Sequence, residues 1–108
     1  MKRLTTSFET HQYEFAHGKR PNGGAGWAFE IDLSVAHVQR LWDRVAQLNS
    51  LSPGVHLSVS RSAEKPAHAQ IWTGGRKYGE AKTAVRRLLE DVCYDVPAGS
   101  TIHVEVCS

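Results

Sequence analysis

The chain has 108 residues, of which 41% are hydrophobic and 22% are charged, and its formal net charge is +2. This length and composition predict one ordinary globular domain covering residues 1–108, with enough apolar surface for a single modest core. The small net charge excludes a global electrostatic attraction to nucleic acid or to an anionic membrane.

Cysteine usage and the first residues indicate the compartment. Cys93 and Cys107 are the two cysteines, too few for a disulfide framework, and they form no Cys-x-x-Cys pair for zinc or redox chemistry. Residues 1–12 carry two positive charges without the apolar run of a signal peptide. No segment approaches the roughly 20 apolar residues of a membrane-spanning helix. We therefore expect a soluble cytoplasmic protein with reduced thiols.

The first two strands are predicted to form a long hairpin. Residues 1–15 are rich in Thr, Tyr and Phe, with a kink near His11 where the apolar face changes, or else the first ten residues are loose. Trp27–Leu33 alternates apolar and polar residues, which predicts a strand. Between them, residues 17–26 contain four glycines, one proline, two fixed positive charges and no acid. This segment, the hairpin tip, is predicted to be flexible and cationic.

A helix is predicted next. Ser34 stands at the N-cap position, and the apolar residues that follow have the three-and-four spacing of an amphipathic helix. The predicted apolar stripe is Val35, Val38, Leu41, Trp42, Val45 and Leu48. Pro53 and Gly54 end the helix.

Two further strands, a second helix and a last strand complete the chain. Val55–Ser60 and Ala67–Thr73 are predicted to pair as a hairpin, Tyr78–Val92 has a second apolar stripe, and Ile102–Val106 alternates. The order β-β-α-β-β-α-β predicts an α+β domain in which two helices cover one face of an antiparallel sheet. Without the first strand, taken as an extra N-terminal hairpin strand, the order is ferredoxin-like.

Positive charge concentrates at the hairpin tip and in residues 76–87. Gly74 and Gly75 precede the second helix and could expose backbone donors to an anion near its positive end. Lys82 and Arg86, four residues apart, are expected to share an exposed face of that helix. A solvated helix face and a polar loop are the structural alternatives. The predicted contact residues are His17, Lys19, Arg20, Trp72, Arg76, Lys77, Lys82 and Arg86.

The sequence offers little for catalysis. Six histidines show no helical metal-ligand spacing, so we expect no metal, no cofactor and no catalytic residue. His56-Leu57-Ser58 matches one unit of the two-histidine phosphoesterases, but His103-Val104-Glu105 lacks the second hydroxyl. Trp72 is predicted to face outward by the alternation of its strand, where it could stack on a base or anchor a partner, whereas a register shift of one residue would bury it.

Residues 13–29 include a Tyr/Phe-rich strand, the string His17-Gly18-Lys19-Arg20-Pro21 and a Gly-x-Trp-x-Phe strand. This pattern, with the helix start at Tyr78, resembles small accessory proteins of bacterial plasmids and phages. The resemblance covers about a third of the chain. It implies a non-enzymatic inhibitor of the anti-CRISPR or anti-restriction type, which acts by occupying a surface.

Three functions compete at this level. The first is a binding module that inhibits or modulates a host protein or nucleoprotein complex that processes nucleic acid. The second is direct RNA or DNA binding by a ferredoxin-like domain, although the standard aromatic RNP1 strand is absent. The third is a small phosphoesterase that uses His56.

Overall fold

The computed structural model describes residues 10–17, 26–51, 57–74 and 77–107, so Lys19, Arg20, His56 and Arg76 lie outside the described residues. The predicted order of elements is confirmed. The elements are β1 (Gln12–His17), β2 (Trp27–Asp32), α1 (Val35–Leu51), β3 (Leu57–Ser62), β4 (Lys65–Thr73), α2 (Tyr78–Val92) and β5 (Thr101–Cys107). The α+β class is therefore confirmed. Among the described residues we find no helix with the length and apolarity needed to traverse a bilayer.

The five strands form one mixed sheet in the order β1-β5-β2-β4-β3. The pairs β5–β2, β2–β4 and β4–β3 are antiparallel, and β1–β5 is parallel. The expected hairpin of β1 with β2 is therefore wrong, as is a purely antiparallel sheet. β1 lies on the far side of β5, where Gln12 pairs with Thr101 and His17 with Val106. The alternating pattern of β1 indicates a strand, but it does not identify the partner, because Tyr13 and Phe15 fit the apolar row of β5 as well as that of β2.

Both helices pack on the same face of the sheet. One buried cluster joins α1, α2 and the apolar rows of β2, β4 and β5, including Phe29, Ile71 and Val104. The predicted stripe of α2 is buried from Ala81 to Val92. In α1, however, Val35 and Trp42 are exposed, and the Arg61 guanidinium lies 4.4 Å from the centre of the Trp42 ring. The other predicted positions Val38, Leu41 and Val45 are buried in the core, as expected.

A buried polar network attaches the start of β1 to the end of α2. Glu90 accepts hydrogen bonds from the Tyr13 hydroxyl at 2.6 Å, from the Thr10 hydroxyl at 2.7 Å and from His11 Nδ1 at 2.8 Å. His11 Nε2 donates to the Val96 carbonyl at 2.8 Å. Both partners of the His11 ring are acceptors, so both ring nitrogens carry protons and the pair is an imidazolium with a carboxylate.

The pKa values of this pair follow from its partners. Burial alone would raise the pKa of Glu90, but the hydrogen bonds from Tyr13, Thr10 and His11 lower it to about 2. Burial would likewise lower the pKa of His11, but the bonds to Val96 and Glu90 outweigh it and raise this pKa above 6.5. Each group thus stabilises the charged form of the other.

Candidate functional site

Four of the five described contact residues, all except Arg86, gather at one end of the molecule. β1 ends there, β2 begins there, and α2 starts there. The His17 and Tyr78 rings lie 5.2 Å apart, and the Trp27 and Tyr78 rings 4.6 Å apart. We call this surface the α2 corner. Its described residues are His17, Gly26, Trp27, Trp72, Gly74, Lys77, Tyr78 and Lys82.

The two glycine-rich cationic segments are rooted next to each other in the α2 corner. Gly26 ends the segment that holds Lys19 and Arg20, and Gly74 begins the connection that holds Arg76. A Cβ atom at Gly26 would lie 2.6 Å from the Thr73 carbonyl oxygen and 3.1 Å from the Gly74 Cα. Gly26 also has φ of +114°, which L side chains rarely adopt. Both the space and the backbone conformation at this junction therefore require glycine.

Trp72 lies on the sheet face opposite the helices, because its neighbours Ile71 and Thr73 point into the core. The side chain is half-buried. Its indole is close to Gly26: the Cζ2 atom is 3.2 Å from where a Gly26 Cβ would stand. Of the two predicted orientations of Trp72, the structure shows the outward one. The ring lies next to Gly26, at the end of the hairpin tip.

Lys82 and Arg86 do not form an exposed face, which corrects the expectation from their spacing. Both are half-buried. Lys82 Nζ lies 4.7 Å from the centre of the Tyr78 ring and 5.7 Å from that of Phe15. Arg86 Nη2 donates to the Thr83 hydroxyl at 3.4 Å. In a sheet without β1, this side of α2 would be exposed to solvent. β1 extends the sheet beneath it, so this side of α2 packs over β1.

The start of α2 already holds an anion from the chain itself. Lys77 is exposed at the N-cap position, and its backbone N–H donates to Glu80 Oε1 at 3.4 Å. This carboxylate interacts favourably with the positive end of the helix. An external anion at this end would therefore compete with Glu80.

The sheet face away from the helices is acidic. β1, β2 and β5 contribute Glu14, Glu30, Asp32 and Glu105 and contain no Lys or Arg. His68 on β4 contacts Asp32 at 2.8 Å and Glu30 at 3.3 Å. Within the described ranges, no three His, Cys, Asp or Glu side chains have the geometry to hold a metal ion.

A cleft opens between β2 and β5 at the end of the sheet opposite the α2 corner. The two strands pair only at Ala28–Glu30 with Cys107–Glu105. Beyond these pairs β2 stays bonded to β4, and β5 stays bonded to β1, so the strands separate. We call this space the β2–β5 cleft. It has a volume of about 680 Å³, within the range of small-molecule sites.

Sequence reasoning missed two features. The Glu90 network depends on contacts between residues about eighty positions apart, which spacing cannot reveal. Ser34 and His37 both line the β2–β5 cleft. They are three positions apart at the start of a helix, and this spacing could have predicted that their side chains lie close together. The Cys93 thiol also lines the cleft, but burial raises its pKa to about 11, with the charges of Asp95 and Glu90 adding to the effect. It is therefore a poor nucleophile.

We compared the chain with known protein families, with curated proteins and with solved structures. None of these comparisons gives a match.

Proposed function

We propose that this protein is a small binding module whose contact surface is the α2 corner together with the two cationic segments rooted in it. The observation that carries this proposal is the contact of Gly26 with Thr73 and Gly74. Lys19 and Arg20 belong to one segment and Arg76 to the other, and Gly26 and Gly74, the described residues that border these segments, lie side by side. Segments that connect the elements of a rigid scaffold are a common place for recognition.

The partner class comes from the charge and from the resemblance described above. Clustered Lys and Arg suit phosphates or an acidic protein surface. The resemblance to phage and plasmid accessory proteins implies a cytoplasmic inhibitor of a host nucleic-acid-processing complex, with CRISPR effectors and restriction enzymes as the candidates. Binding at the α2 corner requires no bond chemistry.

The direct RNA- or DNA-binding alternative would have to use the same corner. Contact of nucleic acid with the open sheet face is disfavoured, because Glu14, Glu30, Asp32 and Glu105 would repel phosphates. Trp72 is the aromatic residue on that face at the corner, where it could stack on a base. His56, on which the phosphoesterase alternative rests, lies outside the described residues.

The ferredoxin-like assignment is proposed for β2 to β5 with α1 and α2. Without β1, the sheet order is β5-β2-β4-β3, and all three neighbouring pairs are antiparallel. β2–α1–β3 and β4–α2–β5 are then two crossovers over one face, which supports a split βαβ unit with β1 added at the outer edge of β5.

The test is target cleavage by an RNA-guided nuclease and by a restriction enzyme, each with and without the protein. The double variant Lys19→Ala/Arg20→Ala should weaken inhibition at least about tenfold, since several charge contacts are removed. Lys65→Ala is the matched control, because Lys65 begins β4 roughly 26 Å from Thr73 at about 3.3 Å per residue.

A parallel titration with fluorescent single- and double-stranded oligonucleotides separates the two partner classes. If the protein binds nucleic acid directly, its affinity for the oligonucleotide should fall steeply as the salt concentration rises from about 50 to about 200 mM. The double variant should show a weaker dependence of affinity on salt. Inhibition without oligonucleotide binding supports a protein target. If the protein neither inhibits cleavage nor binds the oligonucleotides at low salt, the proposal is refuted.

A further inference from the structure

We propose that Ser34, His37 and Asp95 form a hydrolytic site in the β2–β5 cleft, with Ser34 as the nucleophile and small uncharged acyl esters as the substrate class. This activity goes beyond the proposed binding function. It also lies at the other end of β2 from the α2 corner, so the two can be tested separately.

The three side chains are connected in series. Ser34 Oγ lies 2.7 Å from His37 Nδ1, and His37 Nε2 lies 2.7 Å from Asp95 Oδ1. The second Asp95 oxygen is 3.1 Å from Arg40 Nη1. Ser34 precedes α1, His37 lies in its first turn, and Asp95 comes from the loop between α2 and β5. The contacts thus join two elements that are far apart in sequence.

Hydrogen-bond roles fix the direction of proton transfer. The pKa of Asp95 is lowered by its bond to His37 and by Arg40, so its carboxylate is ionised and can only accept. A neutral His37 therefore carries its proton on Nε2, and its Nδ1 is an acceptor. Ser34 Oγ accepts the backbone N–H of His37 at 3.0 Å, so its own hydroxyl proton is free to donate to Nδ1. This arrangement gives the serine a general base, with the two ring nitrogens exchanged relative to the usual triad.

The β2–β5 cleft gives a substrate access to this serine. Ser34 and His37 line it, together with apolar side chains that include Leu33, Val96 and Ile102. Such walls suit a short apolar acyl group. The rim carries Glu30, Asp32 and Glu105, which would repel phosphate esters and carboxylate substrates. The charge around the cleft therefore favours neutral acyl esters over phosphoryl substrates.

The start of α1 provides the electrostatic element that an acyl-transfer site needs. The first-turn amides of a helix have no acceptor four residues earlier, and the helix dipole is positive at this end. Val35 and Ala36 supply such amides next to Ser34. An oxyanion formed at the carbonyl attacked by Ser34 Oγ would develop beside these donors, which stabilise negative charge.

The reaction consumes one ester and one water. Ser34 Oγ attacks the carbonyl carbon while its proton moves to His37 Nδ1. The bond to the alcohol oxygen then breaks, and His37 returns the proton to the leaving alcohol. Water attacks the resulting acyl-serine, with His37 again as the base, and the acid is released as the proton returns to Ser34 Oγ. Asp95 is a positioning residue, because it holds the His37 tautomer through Nε2.

The first experiment measures hydrolysis of p-nitrophenyl acetate and butyrate by the whole chain. Ser34→Asn keeps a side-chain acceptor for the helix cap but removes the nucleophile, so kcat/KM should fall at least about 100-fold while the fold persists. In His37→Gln we expect a similar fall in kcat/KM. Ser60→Ala, an exposed residue of β3 outside the cleft, should leave the rate unchanged. Equal rates for the parent chain and Ser34→Asn would overturn the proposal.

The second experiment uses a fluorophosphonate ester and mass spectrometry of peptides. We expect one adduct, on Ser34, which is absent in Ser34→Asn and retained in Ser60→Ala. Asp95→Asn should slow both adduct formation and kcat with little change in KM, an effect that a merely structural role would not produce. Lys19→Ala/Arg20→Ala should label normally, which separates this site from the α2 corner. An adduct distributed over several serines, or none, refutes the assignment.

Discussion

At the residue scale, Glu90 carries more interactions than its position on a helix flank would indicate. It is the shared acceptor for Thr10, His11 and Tyr13, and its side chain is only 9% exposed. Replacing one member of a buried charge pair leaves the other without compensation. Glu90 therefore fixes the start of β1 by electrostatics as much as by packing.

We expect Glu90→Gln to lower the free energy of unfolding by about 2–4 kcal/mol, since the imidazolium of His11 would lose its counter-charge in a buried site. Urea denaturation at neutral pH measures this. Glu64→Gln, in the exposed β3–β4 turn, is the control and should change stability by less than about 0.5 kcal/mol. Equal effects of the two substitutions would contradict this account of the network.

A pair of glycines provides a second test at this scale. Gly26→Ala would place its Cβ 2.6 Å from the Thr73 carbonyl oxygen at φ of +114°, so we expect a loss of at least about 2 kcal/mol. Gly79 lies in α2 with open space around it, and Gly79→Ala should stabilise by about 0.5–1 kcal/mol through helix propensity. Thermal unfolding should show changes in stability of opposite sign for the two variants. A stabilising effect of Gly26→Ala would contradict the close contact of Gly26 with Thr73 and Gly74.

At the element scale, local periodicity predicted every helix and strand, and α2 agrees to the residue. The position of β1 was not predictable in this way. Strand alternation specifies which side chains share a face, but pairing with β5 instead of β2 depends on the Glu90 network and on the fit of Tyr13 and Phe15 under α2. The same addition explains why Lys82 and Arg86 are half-buried. Charge and glycine content in the sequence indicated the candidate residues at the α2 corner. The β2–β5 cleft could not be predicted in this way, because it arises from the small number of residue pairs between β2 and β5.

β1 should open before the central strands of the sheet. Among the described strands β1 lies at an edge and pairs with β5, whereas β2 and β4 each have neighbours on both sides. In hydrogen exchange, β1 amides should exchange faster than those of β4, and Glu90→Gln should reduce β1 protection by more than the global loss of stability. If all strands lost protection equally, β1 would belong to the same cooperative unit as the centre of the sheet.

At the scale of the whole molecule, His11 and Glu90 give stability a maximum in mildly acidic solution. The pKa of Glu90 is about 2 in the folded state against 4.5 ordinarily, so its contribution of up to about 3 kcal/mol is complete above pH 4.5 and is lost as the pH falls toward 2. The pKa of His11 is raised above 6.5, so its contribution is complete below pH 6.5 and is lost as the pH rises through the folded-state value. Stability should therefore be highest between about pH 4.5 and 6.5.

Urea denaturation from pH 2 to pH 9 checks this dome. In Glu90→Gln the acid limb should flatten, and the alkaline limb should flatten too, because His11 loses the partner that holds its proton. A variant with the parent's pH profile would show that other groups control it.

The parallel pairing of β1 with β5 has a consequence for biosynthesis. Gln12 is made long before its partner Thr101. During translation β2, β3 and β4 can therefore pair with one another before β5, the partner of β1 among the described strands, has been made. A nascent chain would carry the aromatic β1 without β5 during this interval, and docking of β1 would be a late step in forming the sheet.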